Sequence, residues 1–129
     1  MQFVNSQGLT VPNNLKHDNN DSNLTYLNLP KSIDWRSNNN VVNPIKDQSV
    51  CGACWAFSAL GSLESIYAIS TGKLKVLSEQ NIVDCAAQPG YNGCKGGWMS
   101  WAFDYIKKNN GINTQSSYPY NAYSVSLLF

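Results

Sequence analysis

Two cysteines stand three residues apart in the stretch "DQSVCGACWAF", residues 47–57 of the 129-residue chain. A C-x-x-C pair can ligate zinc, exchange disulfides, hold structure, or carry a nucleophile. Zinc wants a second tight pair, yet Cys85 and Cys94 are separated by eight residues and the one histidine, His17, lies far upstream. No metal site is expected, and no cofactor. A thioredoxin-like redox pair would precede a helix, as "CGAC" does here, but it should also follow a buried strand in a βαβ pattern. The preceding "NPIKDQSV" is polar and broken by Pro44. A pair of plain structural thiols stays open on these residues. The remaining reading gives the two cysteines different tasks. Cys54 opens a helix, whose unpaired N–H groups and dipole favour an anion, while Cys51 is bridged to a distant cysteine and stills the loop. A nucleophilic thiol also wants a base, and His17 sits in an asparagine-rich run that nothing positions.

Helices are the elements that must hold these residues. From about Cys54 to Ser70, the side chains Ala56, Ala59, Leu60, Leu63, Ile66 and Tyr67 recur at three- and four-residue spacing, which predicts one apolar face. Gly72 stops that helix. A shorter helix fits "SEQNIVDC" with Ser78 as its N-cap. A third fits "WMSWAFDYIKKNNG", where Trp98, Trp101, Ala102, Tyr105 and Ile106 share a face, two lysines occupy the last turn and Gly111 ends it. "LPKSIDWR" supplies Ile33 and Trp35 as the first core anchors, and "SNNNVVNP" reads as a turn into a short extended segment closed by Pro44. Residues 1–28 are polar, rich in Asn and Ser, and read as a loosely ordered tail. Strand signal is sparse, so the expected fold class is mainly α.

Composition narrows the function. A 43% hydrophobic fraction and four tryptophans allow one modest core. Nine basic residues balance eight acidic ones with no basic block, which argues against a nucleic-acid partner. No apolar run approaches the roughly 18 residues that span a bilayer, so no membrane partner is expected. The start "MQFVNSQGLT" lacks the pattern of a signal peptide. Against that, four cysteines within residues 51–94 are a density more usual in secreted or lumenal proteins, and the sequons at Asn20 and Asn23 would accept glycans there.

"QSVCGACWAF", "SEQNIVDC" and "GCKGGW" together resemble the papain-like cysteine proteases, whose signature C-G-[SA]-C-[WY] is matched by Cys51 to Trp55. "LPKSIDWR" resembles the start of a mature enzyme of that family, and "TGKLKVLSEQNIVDC", "YNGCKGGWMSWAFDYI" and "YPY" follow in the family's order. The resemblance runs from Leu29 to Tyr120 and implies the helical left-hand domain of a two-domain α+β fold. Residues 1–28 then resemble the end of a propeptide, and 121–129 form a tail outside the family pattern.

By that resemblance Cys54 is the nucleophile that forms a thioester with a peptide substrate. Gln48 is the oxyanion-hole glutamine, acting with the backbone N–H of Cys54. Gly52, Gly96 and Gly97 lie where the family meets the substrate backbone, and Trp98 and Met99 lie where it lines a specificity pocket; those last two are equally readable as core of the third helix. Cys51 and Cys94 match a family disulfide, worth roughly 4 kcal/mol in the chain-entropy model.

Several departures go with the resemblance. The family's catalytic histidine and its orienting asparagine come from the β-rich right-hand domain, and the chain is expected to stop before it. The missing domain is the partner expected on the exposed face. Cys85 is expected to be unpaired, because "NAYSVSLLF" has no cysteine after "YPY". "QSV" stands where a glycine usually follows the glutamine, and Lys95 replaces a common asparagine. The resemblance implies a truncated endopeptidase of lysosomal or extracellular setting, inactive as this chain alone. The rival readings are a non-catalytic decoy or inhibitory binding module and, more remotely, a thioredoxin-like oxidoreductase.

Overall fold

A computed structural model describes residues 30–37, 40–88 and 93–124. The N-terminal tail to residue 28, with His17 and both sequons, lies outside the described residues, as does Leu29. Three helices follow in order: α1 (Cys54–Thr71), α2 (Glu79–Cys85) and α3 (Met99–Lys108). Pairing between extended segments, among the described residues, is limited to two isolated bridges, Gly52 with Lys95 in parallel and Leu77 with Thr114 in antiparallel sense. No described helix is long and apolar enough to cross a membrane. The mainly helical architecture agrees with the sequence.

α1 is the central element and packs against both other helices. It has no side-chain cap; the Ala53 carbonyl accepts from the Ala56 and Phe57 amides at 2.9 and 3.2 Å. At its other end Gly72, with φ of 70°, returns its N–H to the Ala68 carbonyl at 2.8 Å. A left-handed residue there closes the helix at least cost when it lacks a Cβ. The inward face carries Trp55, Ala56, Ala59, Leu60, Glu64 and Ala68. Three alanines on that face let neighbours approach closely, and Ala102 of α3 is fully buried among them.

That face is not quite the one the periodicity drew. Ile66 is 52% exposed, while Glu64 is buried in its place. The cause is a polar network that the apolar count ignores. Glu64 accepts from Lys46 Nζ at 2.6 Å, Asn43 Nδ2 at 2.9 Å and the Leu77 amide at 2.8 Å, so its carboxylate is fully partnered inside. Ile33 and Trp35 are also exposed, and the first described residue in the core is Val41.

α2 begins as its sequence predicts. Ser78 is extended and its Oγ accepts from the Asn81 amide at 3.0 Å. The same hydroxyl donates to the Tyr118 carbonyl at 2.6 Å, and the Ser78 amide donates to the Asn113 carbonyl at 2.9 Å. One serine thus caps a helix and ties residues 113–118 across its start. Gln80 continues the seam, accepting from the Asn121 amide at 3.0 Å. α3 starts one residue later than its pattern. Trp98 is extended and 64% exposed, so it does not share the buried face with Trp101, Ala102 and Tyr105. α3 also ends at Lys108, short of Gly111, whose amide still reaches back to the Ile106 carbonyl at 2.9 Å.

Candidate active site

Cys54 is the first residue of α1, where backbone amides have no helical acceptor and the helix dipole presents its positive end. Its thiol is free and exposed. The residue before it, Ala53, is buried with its amide on the Cys51 carbonyl at 2.8 Å, and the residue after it, Trp55, is 2% exposed. The Cys54 thiol is thereby presented to solvent between two buried neighbours.

Cys51 is bonded to Cys94, so Cys54 has no disulfide partner three residues away. That removes the vicinal dithiol on which a thioredoxin-like reading depends. The bridge brings the loop before α1 beside residues 94–97. Gly52 reinforces it: its amide donates to the Cys94 carbonyl at 2.9 Å, and a Cβ there would lie 2.5 Å from that oxygen. Gly52 is therefore needed for loop closure, whatever else it meets.

Gly96 and Gly97 use their bareness differently. Gly96 has φ of 102° and nothing within 4 Å of where a Cβ would point. Its side-chain position is open space. A Cβ on Gly97 would come within 2.6 Å of the Trp55 indole. Trp55 also donates from Nε1 to the Gly93 carbonyl at 3.0 Å and meets Trp101 edge-on at 6.3 Å. The indole, in the residue that follows Cys54, lies directly against Gly97. Trp98 and Met99 are both exposed just beyond, not packed in the core.

Gln48 lies in the loop leading to Cys51, half-buried, with its carbonyl accepting from the Tyr120 hydroxyl at 2.8 Å. Asp47 Oδ1 accepts from the Ser49 amide at 2.7 Å, and Ser49 holds φ of 54°. The serine that stands in place of a glycine is thus in the region glycine tolerates best.

Sequence reasoning missed the base of this loop. Lys46 Nζ pairs with Glu64 and Glu79, each at 2.6 Å, joining the loop to α1 and α2. Glu79 is 1% exposed, and its Oε2 has no hydrogen-bond partner among the described residues. Burial pushes its carboxyl up, with Lys46 opposing the shift and Glu64 adding to it. A signal existed: Glu64 stands four residues from Leu60 and from Ala68, so a carboxylate on the inward stripe must have an internal partner. Cys85 carries a free thiol beside Asn81 Nδ2 at 3.5 Å, and burial pushes its thiol up.

A profile described as "Papain family cysteine protease" matches residues 29–126. This chain belongs to the papain family of cysteine proteases. It is 54% identical over 97 residues to cathepsin L2 of Homo sapiens, covering 75% of this chain and 29% of that protein. It is 60% identical over 93 residues to cysteine proteinase 2 of Dictyostelium discoideum, covering 72% and 24%. Among solved structures, the bromelain protease from Ananas comosus in complex with the E64 inhibitor superposes with a TM-score of 0.69 at 49% identity, over 76% of this chain and 44% of that one. The chain spans less than a third of the length of these curated relatives. The papain-family match covers the loop, the disulfide and all three helices.

Proposed function

We propose that this chain supplies the nucleophile-bearing half of a papain-like endopeptidase site. Cys54 attacks the carbonyl carbon of a peptide bond, forming a thioester as the amine departs. Water then hydrolyses the thioester and returns the thiol. The side-chain amide of Gln48 and the backbone N–H of Cys54 hold the oxyanion of each tetrahedral intermediate. Gly96 and Gly97 offer bare backbone to an extended substrate, Gly52 borders it, and exposed Trp98 and Met99 line a pocket for an apolar side chain. The observation that carries this reading is a free, exposed thiol at the first residue of α1, behind a loop locked by the Cys51–Cys94 bond.

The general base comes from outside residues 30–124, which contain no histidine. A right-hand domain covering the exposed side chains of Ile45 and Val50 beside this loop would bring it. In this reading residues 29–120 are the left-hand domain, 1–28 end a propeptide, and 121–129 are a tail. The cathepsin L and digestive-proteinase relatives and the disulfide fit an oxidising setting, lysosomal or extracellular.

A base must also protonate the leaving amine, and losing one member of a serine-protease triad costs on the order of 10⁴ to 10⁶ in turnover. The purified 129-residue chain is therefore expected to alkylate at Cys54 faster than at Cys85, yet to hydrolyse no peptide amide measurably. Turnover by the chain alone that Cys54→Ser abolishes would overturn the inactivity. Alkylation confined to Cys85 would overturn the role of Cys54.

A further inference from the structure

We propose that Tyr120 is a positioning residue for the oxyanion-stabilising loop, locking the peptide that follows Gln48 onto the helix that carries Cys54. The proposal rests on the roles given above to Gln48 and Cys54. Gln48 lies between two fixed points, the Lys46 ion pairs and the Cys51–Cys94 bond. Between them the chain makes a turn in which Asp47 Oδ1 holds the Ser49 amide and Ser49 is left-handed at φ 54°. A non-glycine residue held there costs about 1–2 kcal/mol, and rotation of the preceding peptide is the simplest relief. The group that swings in such a rotation is the Gln48 carbonyl.

Tyr120 holds that carbonyl with its hydroxyl at 2.8 Å, from 72 residues away in the chain. Its ring meets Phe57 edge-on, with centroids 5.0 Å apart and planes at 88°. Phe57 stands three residues after Cys54, on the first turn of α1. One side chain therefore bridges the main chain of the oxyanion glutamine and the helix of the nucleophile. Burial pushes the Tyr120 phenol up, so it remains a donor through the neutral range.

The test compares two reagents on the purified chain and its Tyr120→Phe, Gln48→Ala and doubly substituted forms. A peptidyl aldehyde adds the thiol across its C=O: an S–C bond forms, the π bond breaks, and the proton ends on oxygen within reach of the oxyanion donors. Iodoacetamide is displaced at carbon, losing iodide and building no oxyanion. Tyr120→Phe keeps the ring, and melting temperatures confirm that each form is folded.

The expected result is that Tyr120→Phe weakens aldehyde adduct formation about threefold to tenfold, the worth of one hydrogen bond. Its iodoacetamide rate stays unchanged, and its effect vanishes when Gln48 is already alanine. If Gln48→Ala weakens the adduct and Tyr120→Phe does not, the positioning role is wrong and the oxyanion reading stands. Equal slowing of both reagents by Tyr120→Phe likewise overturns positioning, since it marks a merely structural tyrosine. If the parent chain forms no adduct, or Gln48→Ala leaves it unchanged, the oxyanion reading falls and the positioning role falls with it.

Discussion

Ser49 and Glu79 show how the loop before Cys54 is held by residues outside the proposed chemistry. Ser49 occupies the left-handed region with its amide anchored on Asp47. Glycine at this position would relieve the Cβ crowding at some cost in unfolded-state entropy. Ser49→Gly is expected to stabilise the chain by about 0.5–1 kcal/mol, read as a rise in denaturation midpoint; a fall would mean that the serine side chain is bound. Glu79 is a buried carboxylate whose folded pKa lies above its ordinary value, because burial outweighs the Lys46 ion pair. As pH rises, the unfolded chain ionises this group first while the folded chain still holds the proton. Its stabilising contribution is therefore complete below the ordinary glutamate range and lost as pH rises through the folded value. The melting temperature of the parent should fall over that interval relative to Glu79→Gln, and parallel curves would contradict the assignment. Neither device was legible from residue type alone. Glu79 reads as an ordinary first-turn acid on a capped helix, and only the tertiary pairing with Lys46, 33 residues away, shows it to be buried.

At the scale of elements, local signals worked where the deciding contacts were local. The start of α1 and Ser78 as the cap of α2 follow from punctuation and periodicity, and both agree with the structure. Ser78 does more than cap, since its hydroxyl also donates to Tyr118 and fastens the returning segment. Ser78→Ala should cost about 2 kcal/mol, toward the upper end for a lost cap, because it leaves the Tyr118 carbonyl without this donor as well. A denaturation midpoint within a few tenths of the parent would show that water replaces both bonds. The same segment places the Tyr118 hydroxyl on Asp84 at 2.9 Å, and burial together with that carboxylate pushes its phenol up to about 12. Where contacts were distant, the sequence misled. Ile66 fits the apolar period of α1 yet faces solvent, because the Lys46 and Asn43 partners turn Glu64 inward. Trp98 fits the period of α3 yet precedes it, because its backbone is extended and the preceding Gly97 sits against the Trp55 indole. Ile33 and Trp35 have the composition of core residues, but nothing described packs over them.

Across the whole molecule, the Cys51–Cys94 disulfide and the Lys46 ion pairs tie the loop of Gln48 to residues 94–97 and to α1 and α2. The candidate site was legible because its residues cluster in two short motifs that resemble those of the papain family. The residues alone left Cys51 and Cys54 open to several roles, and the resemblance to the papain family is what separated them and pointed to "GCKGG" as the segment they meet. The placing of Tyr120 was not legible, since the motif "YPY" gives no hint that its last hydroxyl reaches Gln48. The proposed nucleophile Cys54, the proposed oxyanion residue Gln48 and the glycines of residues 96–97 are tied together by the Cys51–Cys94 bond and the Gly52–Cys94 hydrogen bond. The most direct measurement grafts residues 29–120 in place of the matching segment of the cathepsin L2 relative and follows peptide-amide hydrolysis by the folded chimera. The account predicts turnover that is abolished by Cys54→Ser while the melting temperature is kept. A folded chimera without turnover, or turnover that survives Cys54→Ser, would contradict it.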